Sequence, residues 1–150
     1  MSYDTAQPFL AAYVLLRRQG KIAFVLRSNT SWMNGYYCLP AGKVELNERA
    51  TAAAAREARE EAGVNIKEAD LRIAHVCQRK SDDDTLMWID VLFEVSSWEG
   101  EPRNAEPQSH GELAWFDPNN PPENVVPSVQ FFLQQIKSGN TYSEYGWSNS

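Results

Sequence analysis

The sequence predicts an α/β fold in which helices flank a mixed sheet. Three observations lead there. Apolar runs of strand length recur from residue 9 onward, an alanine-rich stretch near residues 48–62 is helical in composition, and a second apolar repeat of helical period runs from about Pro127 to Lys137. Helices interleaved with roughly five to seven strands bury their apolar faces as layers on a sheet.

The elements follow in order. Residues 9–16 and 22–26 are apolar runs joined through Arg17, Arg18, Gln19, Gly20 and Lys21, which reads as a strand hairpin with Gly20 in the turn. Residues 28–37 form a loop rich in Ser, Asn and aromatics, ending in a short strand towards Leu39. The first helix spans about residues 48–62. Asn47 suits its N-cap, Gly63 its C′ position, and Ala54, Ala55, Ala58 and Ala62 form a small-residue stripe able to lie close to a sheet. Residues 71–77 are apolar enough for a strand but alternate poorly. Residues 87–95 alternate cleanly, with Met87, Ile89, Val91, Phe93 and Val95 on one face and Trp88, Asp90, Leu92 and Glu94 on the other. The acidic run Ser81-Asp82-Asp83-Asp84 between them is a solvated turn.

Residues 99–111 read as a polar loop and 112–116 as a short strand. Pro118, Pro121 and Pro122 forbid regular structure until about Val125. In the second helix Pro127 takes N1, Val129, Phe132, Leu133 and Ile136 make the apolar stripe, and Gly139 ends it. The tail from residue 140 is polar, with Tyr142, Tyr145 and Trp147 interspersed. It is expected to be partly mobile, or docked through those aromatics on the domain or on a neighbouring subunit.

Composition narrows the function. A chain of 150 residues with 43% hydrophobic and 11% aromatic content is expected to form one globular domain. A net charge of −6 and a pI near 4.9 argue against a nucleic-acid backbone as partner. An acidic chain can still take a phosphorylated substrate if metal ions bridge the two sets of negative charge. Cys38 and Cys77 have no zinc spacing and lie in apolar runs, as buried thiols in a reducing compartment do. The apolar run at residues 9–16 lacks the flanks of a secretory signal, and no apolar stretch is long enough to span a membrane. The expected location is the cytoplasm.

The chemistry concentrates on the first helix. At ~100° per residue, Glu57, Glu60 and Glu61 fall within an arc of about 100° on one face. Like charges so placed repel one another, and a hard divalent cation with oxygen ligands turns that repulsion into coordination. A solvated Glu/Arg face with i,i+4 pairs such as Arg56–Glu60 is the plain alternative. The upstream residues decide against it. Gly42, Glu48, Arg56, Glu57, Ala58, Glu60, Glu61, Gly63 and Val64 fill the pattern G-x5-E-x7-R-E-U-x-E-E-x-G-U, where U is aliphatic. The lead-in Leu39-Pro40-Ala41-Gly42-Lys43-Val44-Glu45 matches as well, with Ala41 where a second Gly is common and Ala58 smaller than the usual aliphatic residue. In these residues the chain resembles the Nudix hydrolases.

That resemblance implies an α/β/α sandwich and hydrolysis of a diphosphate bond in a nucleoside diphosphate derivative, with Mg²⁺ or Mn²⁺. It implies Glu57, Glu60 and Glu61 as metal ligands, with the Gly42 carbonyl as a further one. The base would be Glu57 or Glu61, and Arg56 and Glu48 would orient the site. Glu112 is the first choice for a distal carboxylate, with Glu106 in reserve. Trp32, Asn34, Tyr36 and Trp88 are candidates to stack on or hydrogen-bond a base, and Asp90 to accept from a purine edge. His75 is expected to be a satisfied core residue and His110 a loop residue. The expected partner is a small nucleotide, most closely a nucleoside triphosphate cleaved to monophosphate and pyrophosphate as by enzymes of the MutT type. A monomer or homodimer is expected. The rivals are an ADP-ribose or nucleotide-sugar hydrolase and a non-catalytic nucleotide sensor.

Overall fold

The computed structural model describes residues 4–147. Strand β1 (Phe9–Arg18) is the organiser. It pairs antiparallel with β2 (Lys21–Arg27) at its end, antiparallel with β4 (Ala41–Lys43) near its start, and parallel with β6 (Met87–Val95) along most of its length. The sheet order is β3 (Tyr37–Cys38), β2, β1, β6, β5 (Arg72–Lys80), β8 (Tyr142–Tyr145), with β7 (His110–Phe116) on β2. This is the mixed sheet expected. The β1–β2 turn has two residues, Gln19 and Gly20, both at positive φ (53° and 77°). That geometry matches the twist of the strands it joins, which is why the glycine stands there.

Because side chains alternate along β1, it feeds two cores. Ala12, Val14 and Leu16 meet helix α1 (Ala50–Ala62), whose Ala53, Ala54, Ala58 and Ala62 are fully buried against the sheet. The expected stripe is therefore displaced at one position: Ala53 is buried and Ala55 only half-buried. Tyr13 and Leu15 face helix α2 (Pro127–Lys137) across the second core, where the Tyr13 and Phe132 rings meet edge to face at 5.5 Å. Burying a side chain of the size of Phe132 contributes on the order of 2–3 kcal/mol.

Several expectations shift. Asn47 is not the N-cap. It sits at φ 65° in the turn before the helix, the N-cap is Arg49 without a side-chain bond, and the helix begins at Ala50. The turn is fixed instead by Glu48, whose Oε1 accepts from the Glu45 N–H at 3.0 Å. Gly63 ends α1 in the left-handed region as expected. The poor alternation near residues 71–77 has a cause: the β5–β6 register slips between Ile73 and His75. Beyond it the strand runs on to Lys80.

The tail docks on the domain as strand β8, parallel to β5, with the Tyr145 ring 4.9 Å from that of Phe131. His75 secures it and is the satisfied core residue expected. Its Nδ1 lies 2.8 Å from the Asn140 carbonyl and its Nε2 2.7 Å from Ser143 Oγ. Cys38 and Cys77 are buried free thiols, and burial pushes them up to about 12 and about 11. No helix among the described residues is long and apolar enough to cross a membrane.

Candidate active site

Strand β4 and helix α1 bring the site together. The Ala41 N–H donates to Glu61 Oε2 at 2.7 Å, and the Glu57 carboxylate lies on the bare face of Gly42. A Cβ built on Gly42 would stand 2.0 Å from Glu57 Oε1, so only glycine leaves that carboxylate its place. Arg56 reaches across the same end of the helix. Its Nε and Nη2 hold both oxygens of Glu48 at 2.9 and 3.0 Å, and its Nη1 donates to Glu57 Oε1 at 2.7 Å and to Glu60 Oε2 at 3.4 Å. Nη2 also donates to the Lys43 carbonyl at 3.1 Å, tying the helix to β4. A planar fork with five donors can do this, whereas an ammonium could not. The Arg56 bonds hold the Glu48 carboxyl down at about 2, helped by the Glu45 N–H.

Glu57 and Glu61 are nearly buried, at 9% and 8% exposure. Burial pushes both up to about 8. The negative charge of Glu61 adds to the effect on Glu57, and that of Glu106 to the effect on Glu61. Such a cluster, with Arg56 as its one hydrogen-bonded cation among the described residues, fits a bound divalent cation.

The structure sets Glu106, and not Glu112, beside Glu61. Glu112 lies in strand β7 and its Oε1 accepts from the Tyr37 hydroxyl. Its neighbours on that face, Ala114 and Phe116, pack on the α2 side. Glu106 instead stands with Glu61 and His110, their ligand atoms all within 4.8 Å of one another. His110 is no loop residue. It opens β7, is 4% exposed, and its Nε2 lies 3.3 Å from Glu61 Oε1. Burial lowers its pKa, which keeps the imidazole neutral near pH 7. The spacing of Glu106 and His110, four apart in a polar turn, was the available signal: the His110 N–H closes that turn on the Glu106 carbonyl at 2.9 Å. Accordingly Glu106→Gln is expected to weaken activation by metal and lower kcat about tenfold or more, whereas Glu112→Gln leaves kcat within about twofold. Steady-state rates across a metal titration check this, and the reverse ranking would restore Glu112.

A cleft of about 440 Å³ opens on the other side of β4. Trp32 and Trp88 line it, with Met33, Tyr13 and the cations Arg27, Lys43, Arg79 and Lys80, against a single acidic residue, Asp82. Arg79 is paired with Asp90 and Lys80 with Asp84 at 2.7 Å, which leaves Arg27 and Lys43 as the lining cations without an ion pair among the described residues. Trp88 is braced by Phe9 at 5.1 Å and by the Arg79 guanidinium at 4.9 Å. Three other residues expected at the base lie outside the cleft lining. Asp90 is fully buried and taken up by Arg79 at 2.6 and 3.1 Å, so no purine edge can reach it. Asn34 braces its own loop by accepting from the Thr30 N–H at 2.9 Å and donating to the Thr30 carbonyl at 2.8 Å. Tyr36 is exposed and outside the cleft lining.

The sequence has no significant match among curated proteins. Its fold has many solved relatives. A MutT NUDIX hydrolase from Burkholderia pseudomallei superposes with a TM-score of 0.78 at 26% identity, covering 87% of this chain and 98% of its own. A MutT protein from Methanosarcina mazei Go1 gives 0.75 at 20%, covering 92% and 98%. The ORF135 protein of E. coli gives 0.74 at 22%, covering 92% and 94%. The sequence pattern of the NUDIX domain matches residues 7–135, from just before β1 almost to the end of α2. With the glutamates of α1 inside a match of that extent, the chain belongs to the Nudix family, hydrolases of pyrophosphate bonds in nucleoside diphosphate derivatives.

Proposed function

We propose that the chain is a single Nudix domain that hydrolyses a nucleoside triphosphate to monophosphate and pyrophosphate, as a MutT-type enzyme does, with Mg²⁺ as its metal and Mn²⁺ able to replace it. One observation carries this reading: the cleft with two indoles, Arg27 and Lys43 shares strand β4 with the buried glutamates. Indole faces suit a planar base, and Arg27 and Lys43, which carry no ion pair among the described residues, suit an anionic chain. An oxidised purine deoxynucleotide is the first substrate to try. The absence of proline from residues 64–86 also favours a triphosphate over a nucleotide sugar, whose hydrolases often carry one beyond the motif.

Glu57, Glu60, Glu61, the Gly42 carbonyl and Glu106 would hold the metal. A divalent cation there supplies positive charge to the phosphate oxygens and acidifies water. The residues of the chain do the rest. Arg56 keeps Glu48, Glu57 and Glu60 in one arrangement. The Ala41 N–H holds Glu61 Oε2, with Oε1 turned towards His110 Nε2 at 3.3 Å. Glu57 or Glu61 takes the proton of the attacking water.

The test is a panel of nucleoside triphosphates, diphosphate sugars and dinucleotide polyphosphates incubated with Mg²⁺, with products separated chromatographically. Monophosphate and pyrophosphate should appear from one or more triphosphates, and excess EDTA should abolish turnover. Full turnover in EDTA would overturn the metal assignment. Faster cleavage of ADP-ribose than of any triphosphate would move the substrate to the nucleotide sugars.

A further inference from the structure

The loop before β7 is fastened to the end of α1. The Arg103 N–H donates to the Ala62 carbonyl at 3.0 Å and the Ala105 N–H to the Glu61 carbonyl at 3.1 Å. Asn104 braces it from within, donating through Nδ2 to the His110 carbonyl at 2.8 Å and accepting from the Glu106 N–H at 3.3 Å. These bonds present two side chains to Glu61: the Glu106 carboxylate and the His110 imidazole. His110 Nδ1 is buried, has no hydrogen-bond partner among the described residues, and lies 3.9 Å from Glu106 Oε1. A buried ring nitrogen without a partner loses free energy on folding unless something else satisfies it.

We propose that Glu61, Glu106 and His110 form a mixed nitrogen–oxygen cation subsite that takes Mn²⁺, or another borderline first-row ion, in preference to Mg²⁺. The chemistry of the donors separates this subsite from the oxygen-only end of the site. Mg²⁺ favours carboxylate, carbonyl and water, whereas imidazole draws the softer divalent ions. Glu61 belongs to both ends, one oxygen held by the Ala41 N–H and the other facing His110. The inference rests on the proposed metal dependence but adds a ligand and a selectivity to it.

The experiment uses the full chain stripped with EDTA, with Mn²⁺ and Mg²⁺ as the probes. Binding is followed by calorimetry, and stoichiometrically loaded Mn²⁺ by pulsed electron paramagnetic resonance for ¹⁴N coupling. The wild type should bind Mn²⁺ about tenfold or more tightly than Mg²⁺ and show histidine nitrogen coupling. His110→Leu should lose the coupling and the preference while keeping its Mg²⁺ affinity within about twofold. Glu106→Gln should weaken Mn²⁺ but retain some nitrogen coupling, which guards against misfolding of the histidine variant. Mn²⁺ binding without nitrogen coupling in the wild type overturns the inference alone. Absence of binding by either ion overturns the proposed metal dependence with it.

Discussion

Glu61→Gln is expected to lower kcat by roughly two orders of magnitude or more while leaving the metal-free protein as stable as the wild type at pH 8, or more so. The two effects share one cause. Glu57 and Glu61 are crowded together out of water, and folding raises both from the ordinary 4.5 to about 8. Across pH 4.5–8 the folded state binds more protons at these two carboxyls than the unfolded state does, so their contribution to stability falls as pH rises, against a smaller opposite contribution from His110, whose pKa is lowered by burial. Below the unfolded value neither state is penalised, and above about 8 the full cost is present. Each unit of displacement is worth ~1.4 kcal/mol per group, and a few kcal/mol correspond to ~5–10 °C in a domain of this size.

The midpoint of the EDTA-treated wild type should thus drop by several degrees between pH 5 and pH 8.5, and Mg²⁺ should restore it at the alkaline end. Glu61→Gln, with an amide of the same shape that still accepts from the Ala41 N–H, should flatten that slope. Differential scanning fluorimetry across pH, with and without Mg²⁺, reads both. A wild-type midpoint that ignores pH would remove the physical basis for the cluster. An unchanged kcat at saturating metal would remove Glu61 from the machinery.

Gly42→Ala should be nearly as damaging, although it adds only a methyl group. Its Cβ would stand 2.0 Å from Glu57 Oε1 and 2.3 Å from Cδ. The carboxylate is the far end of a flexible side chain, so it gives way to the methyl group and surrenders its place on Gly42 and its 2.7 Å bond to Arg56 Nη1. Gly42 does not have positive φ, so alanine brings no backbone strain and the effect isolates the collision. Displacing one metal ligand should reduce kcat by ~100-fold, with a change in the metal-free midpoint of less than ~5 °C. Steady-state kinetics at saturating Mg²⁺ and a thermal melt check this together. A variant with normal kcat would show that Glu57 does its work from some other position.

The division between what the chain announces and what it conceals follows sequence distance. The carboxylates of α1, their arginine and Gly42 were legible because they lie within one helix and the strand leading into it. There, helical period and the demand of a metal for oxygen ligands dictate spacing. The hairpin, both helices and the alternating strand β6 were legible for the same reason, since local period reports which face is buried. Even there, the start of α1 was missed at Asn47, because a left-handed turn residue and an N-cap look alike in sequence.

The sequence by itself therefore determined the α/β class, the order of the elements and the glutamate-bearing helix, all of which depend on residues a few positions apart. Tertiary structure alone decided which distant groups stand beside the glutamates of α1. It took Asp90 away to Arg79 and Glu112 to Tyr37, and set Glu106 and His110 beside Glu61. It also gathered Arg27, Lys43, Arg79 and Lys80 around one cleft of an acidic protein. Each of those outcomes turns on strand register and on which face of a strand a side chain takes. A shift of one residue in pairing reverses that face, and no local pattern in the chain records it.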